Sequence, residues 1–205
     1  MTVQSLPPKA PNLPLAPATY DAGFVSKLTN ALRLYFNQQD QATADLLYGF
    51  KIYGDFYSTA DQTNPVGGAQ NVVTFDNTRA ANGVTIDAFA TSHAIVERTG
   101  TYVVSYSLQL DKTGAGATSV YSWLNVNGTA VTASARQTTL VDTDSEKSVS
   151  MTVQLALNAA DYVQVAWSSA DTGARLEYTA GSSPVPAIPS ATLSVAFLAP
   201  ALRAG

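Results

Sequence analysis

Cysteine is absent from this 205-residue chain, and histidine occurs once, at His93. No disulfide framework, thiolate nucleophile or cysteine-based metal site is therefore possible. One histidine leaves too few of the usual ligands for zinc. Charge is scarce as well: Asp, Glu, Lys and Arg make up 13% of the residues, about half the usual share of roughly 25%. The formal net charge is −4, and the eleven Lys and Arg are spread singly from Lys9 to Arg203. A nucleic-acid ligand needs a basic patch, so that class of partner is excluded. No stretch approaches the ~20 apolar residues of a membrane span. The first residues carry no cationic start followed by an apolar run, so no signal peptide is expected.

Hydrophobic residues are plentiful at 46%, enough for one substantial core in a chain of this length. With so few charges, the surface must consist of small polar residues or be covered by neighbouring subunits. Residues 1–20 hold Pro7, Pro8, Pro11, Pro14 and Pro17, with Leu13 and Leu15 between them. Proline fixes φ and biases its predecessor toward extended geometry, so this segment reads as an extended arm. It is either a free tail or an anchor laid on another surface.

Residues 21–48 read as a helix capped by Asp21. Phe24, Leu28, Ala31 and Tyr35 fall at spacings of four, three and four, with Leu32 and Phe36 beside them, and Gln38 and Ala42 continue the seam. Such a stripe either packs on its own domain or joins several chains in a short coiled coil with Gln38 as a polar layer.

From residue 49 to 200 the pattern is β. The stretch Gly100–Gly128 organises it. Tyr102, Val104, Tyr106, Leu108 and Leu110 alternate with smaller residues, and Val120, Ser122, Leu124 and Val126 alternate with Tyr121, Trp123 and Asn125. Alternation of this kind marks strands with one buried face. Asn127-Gly128 is a strong hairpin signal, since both central residues of the tight turn need positive φ. We expect these two strands to pair as the centre of one antiparallel sheet. Some ten short strands punctuated by Gly, Asn, Asp and Pro, with no helix between them, indicate an antiparallel sandwich. Residues 201–205 form a tail.

Little here suggests catalysis. His93 has no serine in a nucleophile-elbow setting to activate. Asp142, Asp144 and Glu146 form the one acidic cluster. Alternate oxygen ligands can hold calcium, but the glycine of the EF-hand pattern is missing, and a solvated loop is the simpler account. Catalytic, cofactor and metal sites are therefore expected to be none. Tyr121 and Trp123 are more informative. On the strand face opposite Leu124 they either complete the core or pack between subunits, where aromatics are enriched.

Gly100-Thr101-Tyr102, then Trp123-Leu124-Asn125-Val126-Asn127-Gly128, then the run from Leu157 to Val163 follow one another at the spacings of a known pattern. Over about residues 50–200 the chain resembles the tumour-necrosis-factor-like jelly roll shared with complement globular heads. Ala160-Asp161 stands where that family has Gly-Asp. Upstream, the stretches Leu28–Gln41 and Tyr53–Thr63 resemble structural proteins of tailed bacteriophages, especially phages of cyanobacteria and marine bacteria. The resemblance implies a mainly β jelly roll preceded by an arm and one α-helix, a homotrimer, and a structural or binding role without enzymatic activity. On this reading Phe24, Leu28, Ala31, Tyr35, Gln38, Tyr121 and Trp123 are trimer-interface candidates. The arm residues named above would anchor the protein to a major capsid protein or another virion protein. The product would be a capsid decoration, cement or head-fibre protein, made in a bacterial host's cytoplasm. The alternative is a fibre tip that binds a host cell-surface glycan or receptor.

Overall fold

Asp21 opens the helix as expected: its carboxylate accepts the backbone N–H of Gly23 at 2.8 Å, satisfying one of the donors a helix leaves unpaired at its start. Helix α1 spans Ala22–Tyr48 and has no acidic residue in its first turn and no basic one in its last. Charge–dipole complementarity at its start therefore comes from the capping carboxylate of Asp21. The computed structural model describes residues 11–15, 17–48 and 52–200, and the chain divides into two units, Met1–Phe50 and Lys51–Gly205.

Among the described residues the regular elements of the second unit are all strands: β1 (Tyr53–Ser58), β2 (Gln62–Thr63), β3 (Asn71–Val72), β4 (Asn77–Asn82), β5 (Val84–Ile86), β6 (Ala94–Val96) and β7 (Gly100–Lys112), then β8 (Thr118–Val126), β9 (Thr129–Ala130), β10 (Arg136–Leu140), β11 (Lys147–Leu157), β12 (Tyr162–Ser169), β13 (Ala174–Leu176) and β14 (Ala191–Pro200). They form two sheets. In the first, β7 pairs with β14 and β13 along one edge and with β11 along the other, while β14 continues to β1 and β4. In the second the order is β10-β8-β12-β6-β5. The eight principal strands therefore lie as β1-β14-β7-β11 and β6-β12-β8-β10, all antiparallel. Strands one, eight, three and six of the eight share a sheet, as do two, seven, four and five. This is the doubly Greek-key order of a jelly roll.

One expectation is overturned here. β7 and β8 are not hydrogen-bonded neighbours; they are central strands of opposite sheets. The segment 113–117 between them crosses the sandwich. Five extended residues reach ~16 Å, ample for sheets about 10 Å apart. What joins the two strands is the core: the Tyr106 hydroxyl meets the Ser122 hydroxyl at 3.0 Å across it. The expected tight turn does form, with Asn127 and Gly128 at φ of 51° and 78°. It returns β8 into β9 through the Val126–Thr129 pair.

Alternation explains the core. Tyr102, Val104, Tyr106, Leu108 and Leu110 of β7 all point inward and are buried, opposite Val120, Leu124, Val163, Val165 and Trp167 of the second sheet. Tyr102 packs edge-on against Phe197, with ring centroids 5.3 Å apart, the geometry favoured by the ring quadrupoles. Its hydroxyl donates to the Arg98 carbonyl at 2.6 Å. Burial dominates that carbonyl's influence and pushes the phenol up to about 12. Each such side chain contributes about 1.5–3 kcal/mol through burial.

One end of the sandwich is tied by a buried cation. Lys112 is fully buried; its ammonium donates to the carbonyls of Gly114 and Ala115 and pairs with Asp171 at 2.9 Å. Its own carbonyl accepts the N–H of Asp144 at 2.8 Å. Three loops thus converge on one side chain, because a buried ammonium must find oxygen partners.

Candidate interaction surface

The two sheets differ on their outer faces. On the second sheet, Tyr121, Trp123 and Asn125 of β8 lie outward beside Ser168, Ala166 and Gln164 of β12. Part of this face is roofed by the protein's own chain. Gln164 is buried and donates to the Ser92 hydroxyl at 3.2 Å, and Asn125 and Ala166 are fully buried. The Trp123 indole N–H donates to the Asn125 carbonyl oxygen at 2.9 Å. Trp123 is half-buried and Tyr121 is 44% exposed. Neither enters the sandwich core, which settles that part of the choice left open by the sequence.

The first sheet has a different outer face. At its outer face β7 ends in Asp111, which pairs with Arg175 of β13 at 2.8 Å; the outward positions before it are Thr101, Val103, Ser105, Ser107 and Gln109. They lie between Ala156, Gln154, Thr152, Ser150 and Ser148 of β11 on one side and Ala196, Ser194 and Thr192 of β14 on the other. No charged residue occurs among them, and the β11 members are all exposed. Two hydroxyl pairs form across strands, Ser105 with Thr152 and Ser107 with Ser148. At the β1–β4 margin the face ends at an ion pair, Arg79 to Asp55 at 2.7 Å.

The edges differ in the same sense. A free strand edge invites pairing with another chain unless it is short, charged or bulged. β5 is three residues long, β10 begins with Arg136, and β4 carries a bulge together with Arg79. β11 is eleven residues long, pairs only with β7 among the described residues, and carries one charge, Lys147 at its start. This edge has no such protection.

On α1, Phe24, Leu28, Ala31 and Tyr35 share one half-buried stripe as predicted. Gln38 lies off it and is exposed; Gln39 occupies the stripe and donates to the Tyr35 hydroxyl at 2.9 Å. The side chain of Ala42 lies outside the described residues. Leu34 and Phe36 are 64% and 59% exposed, so the helix displays apolar surface on two sides. In the arm, Pro7 and Pro8 lie outside the described residues, as does the 201–205 tail. Pro11 and Pro14 are half-buried, Leu13 and Pro17 are exposed, and Leu15 is 95% exposed.

His93 and the acidic cluster take part in local contacts. His93 stacks on Tyr162 with centroids 3.9 Å apart. Asp142 accepts the N–H groups of Thr143 and Gly116, and these bonds hold its carboxyl below the usual range. Its neighbour Asp144 turns the loop at a φ of 57°. Among the described residues no three His, Cys, Asp or Glu side chains come together as a metal site. Sequence reasoning missed Arg79, Tyr57 and Tyr178, which line one cleft with Thr59, Ala187 and Pro189.

No protein-family model matches the chain, and no curated protein matches it. Among solved structures the chain is similar to one described as the globular domain of zebrafish complement 1qA protein. The identity is 15% and the TM-score 0.44, and the match covers 74% of this chain and 99% of that one.

Proposed function

We propose that this protein is a non-enzymatic homotrimeric structural protein of a tailed-phage particle, a capsid decoration or head-fibre protein docked through its N-terminal arm. The observation that carries the self-assembly is the uncharged stretch of the first sheet's outer face, formed by β11, β7 up to Gln109 and β14, beside the unguarded β11 edge. Small hydroxyls and alanines let a neighbouring sandwich approach this stretch closely, and no ion within it has to be desolvated. The apolar sides of α1 support the same reading, because a helix with this much exposed Leu and Phe is stabilised by covering them. The threefold count and the phage setting rest on the resemblance of Leu28–Gln41, Tyr53–Thr63 and the jelly-roll motifs. Partners are then two further copies and a capsid or other virion protein.

Removing residues 1–19 tests the docking part. A folded trimer that no longer joins the particle is the expected result; undiminished incorporation would place the anchor elsewhere. A second reading, contact with a host cell-surface glycan, is favoured by the tyrosine-lined cleft at Arg79.

A further inference from the structure

Arg79 occupies an unusual backbone position. Asp55 of β1 pairs with Ala80 of β4, but the next residue, Phe56, pairs with Thr78, so Arg79 is the extra residue of a β-bulge. Bulges re-aim side chains, and this one places the guanidinium over the Tyr57 ring, 5.2 Å from its centroid, and against the Asp55 carboxylate. The cleft there has a volume of about 220 Å³ and is lined by Tyr57, Thr59, Arg79, Tyr178, Ala187 and Pro189. A second hollow of about 350 Å³ adjoins it, sharing Arg79 and running along Asp55 and the hydroxyl rows. Tyr178 is set by a separate device: the Asp61 carboxylate accepts its backbone N–H at 2.8 Å.

We infer that this cleft is a subsite for a neutral sugar. The Tyr178 ring and Pro189, beside a Tyr57 ring that carries Arg79 over it, offer apolar surface of the kind that packs on the C–H face of a pyranose. Around them stand both kinds of hydrogen-bonding group. Arg79 uses one nitrogen on Asp55, leaving other guanidinium donors for a ligand, and the two phenol hydroxyls make no hydrogen bond among the described residues. A guanidinium beside a carboxylate presents donor and acceptor at the spacing of a vicinal diol. Charge rules out the anionic alternatives. Asp55 neutralises Arg79, and Asp76 stands behind Thr59, accepting its N–H and hydroxyl at 2.9 and 2.7 Å. A phosphate, carboxylate or sialylated ligand would meet two carboxylates and one cation. The volume is below the ~300 Å³ at which pockets for drug-sized ligands begin, which suits a single ring with further residues leading out along the hydroxyl rows.

The inference rests on the glycan-contact reading and is independent of self-assembly, whose failure would appear as a changed mass and not as lost sugar binding. The test is saturation-transfer NMR on the full chain with the methyl glycosides of glucose, galactose, mannose and N-acetylglucosamine, and with N-acetylneuraminic acid as the acidic counterpart. Saturation transfer to at least one neutral glycoside is expected, weakened roughly tenfold by Tyr178→Ala and by Arg79→Gln, and unchanged by Tyr121→Ala on the other sheet. If Tyr178→Ala does not fold, Tyr178→Phe together with Arg79→Gln carries the same comparison. Absence of transfer to every neutral glycoside would overturn the inference. So would transfer that survives both substitutions, or a preference for the acidic sugar.

Discussion

The two outer faces of the sandwich are built from the same alternating strands and end in different states. On the second sheet the chain folds back over its own face: Ser92 meets Gln164, and Asn125 and Ala166 are buried. On the first sheet no charge stands on the outward positions of β7 from Thr101 to Gln109 or on their neighbours in β11 and β14, and the β11 rows are exposed. A roofed face needs its polar groups satisfied from within. A bare face of small, uncharged residues is suited to an approaching copy. Exposure alone does not separate them, since Tyr121 is more exposed than much of β7; cover by the chain itself and edge protection do.

The sharpest way to break the comparison is to put a charge on each face. Ser107→Arg, at the centre of the bare face, should dissociate the assembly, because like charges brought together between copies cost several kcal/mol. Ser168→Arg, on the second sheet, should leave the assembled mass unchanged by light scattering. If both variants behave alike, the faces are not different in function. Gln164→Ala should lower stability by ~1–3 kcal/mol, since Ser92 loses a buried partner, without altering the assembled mass. Thermal unfolding and sedimentation separate the two effects.

Trp123→Ala should cost less than the ~3–5 kcal/mol of a fully buried tryptophan, because Trp123 is only half-buried and its indole rests on Asn125. A full-sized loss in denaturant unfolding would mean that Trp123 is covered by another copy, and would return this face to the interface. The smallest effect concerns pH. The Lys112 hydrogen bond, followed by that from Gly173, lowers the Asp171 pKa. A depressed carboxylate contributes stability that is present above its unfolded pKa and is lost as pH falls through the folded value. Wild type should therefore lose more stability on acidification below the ordinary Asp range than Asp171→Asn does. Equal slopes would show that the pair contributes nothing to folding.

The strands with a clear inside and outside were legible. β7, β8, β11, β12 and β14 all carry period-two alternation strong enough to fix their inward residues. β4 and β10 were not, because Asn-Thr-Arg-Ala-Ala-Asn and Arg-Gln-Thr-Thr-Leu are mostly polar edge sequences with little to alternate. Pairing was misjudged where neighbours in sequence part company in space. The 113–117 segment looks like a hairpin turn, but its length also suits a crossing between sheets, and only the packed core decides. The Arg79 cleft was illegible for a related reason. Tyr57, Arg79 and Tyr178 come from β1, β4 and the chain after β13, and a one-residue bulge determines where the guanidinium points.

Native mass spectrometry at micromolar concentration, with the Ser107→Arg variant alongside, tests the central claim most directly. The account predicts a species of three times the 21.5 kDa chain for the wild type and a folded single chain for the variant. A wild-type protein that flies as one chain would contradict it.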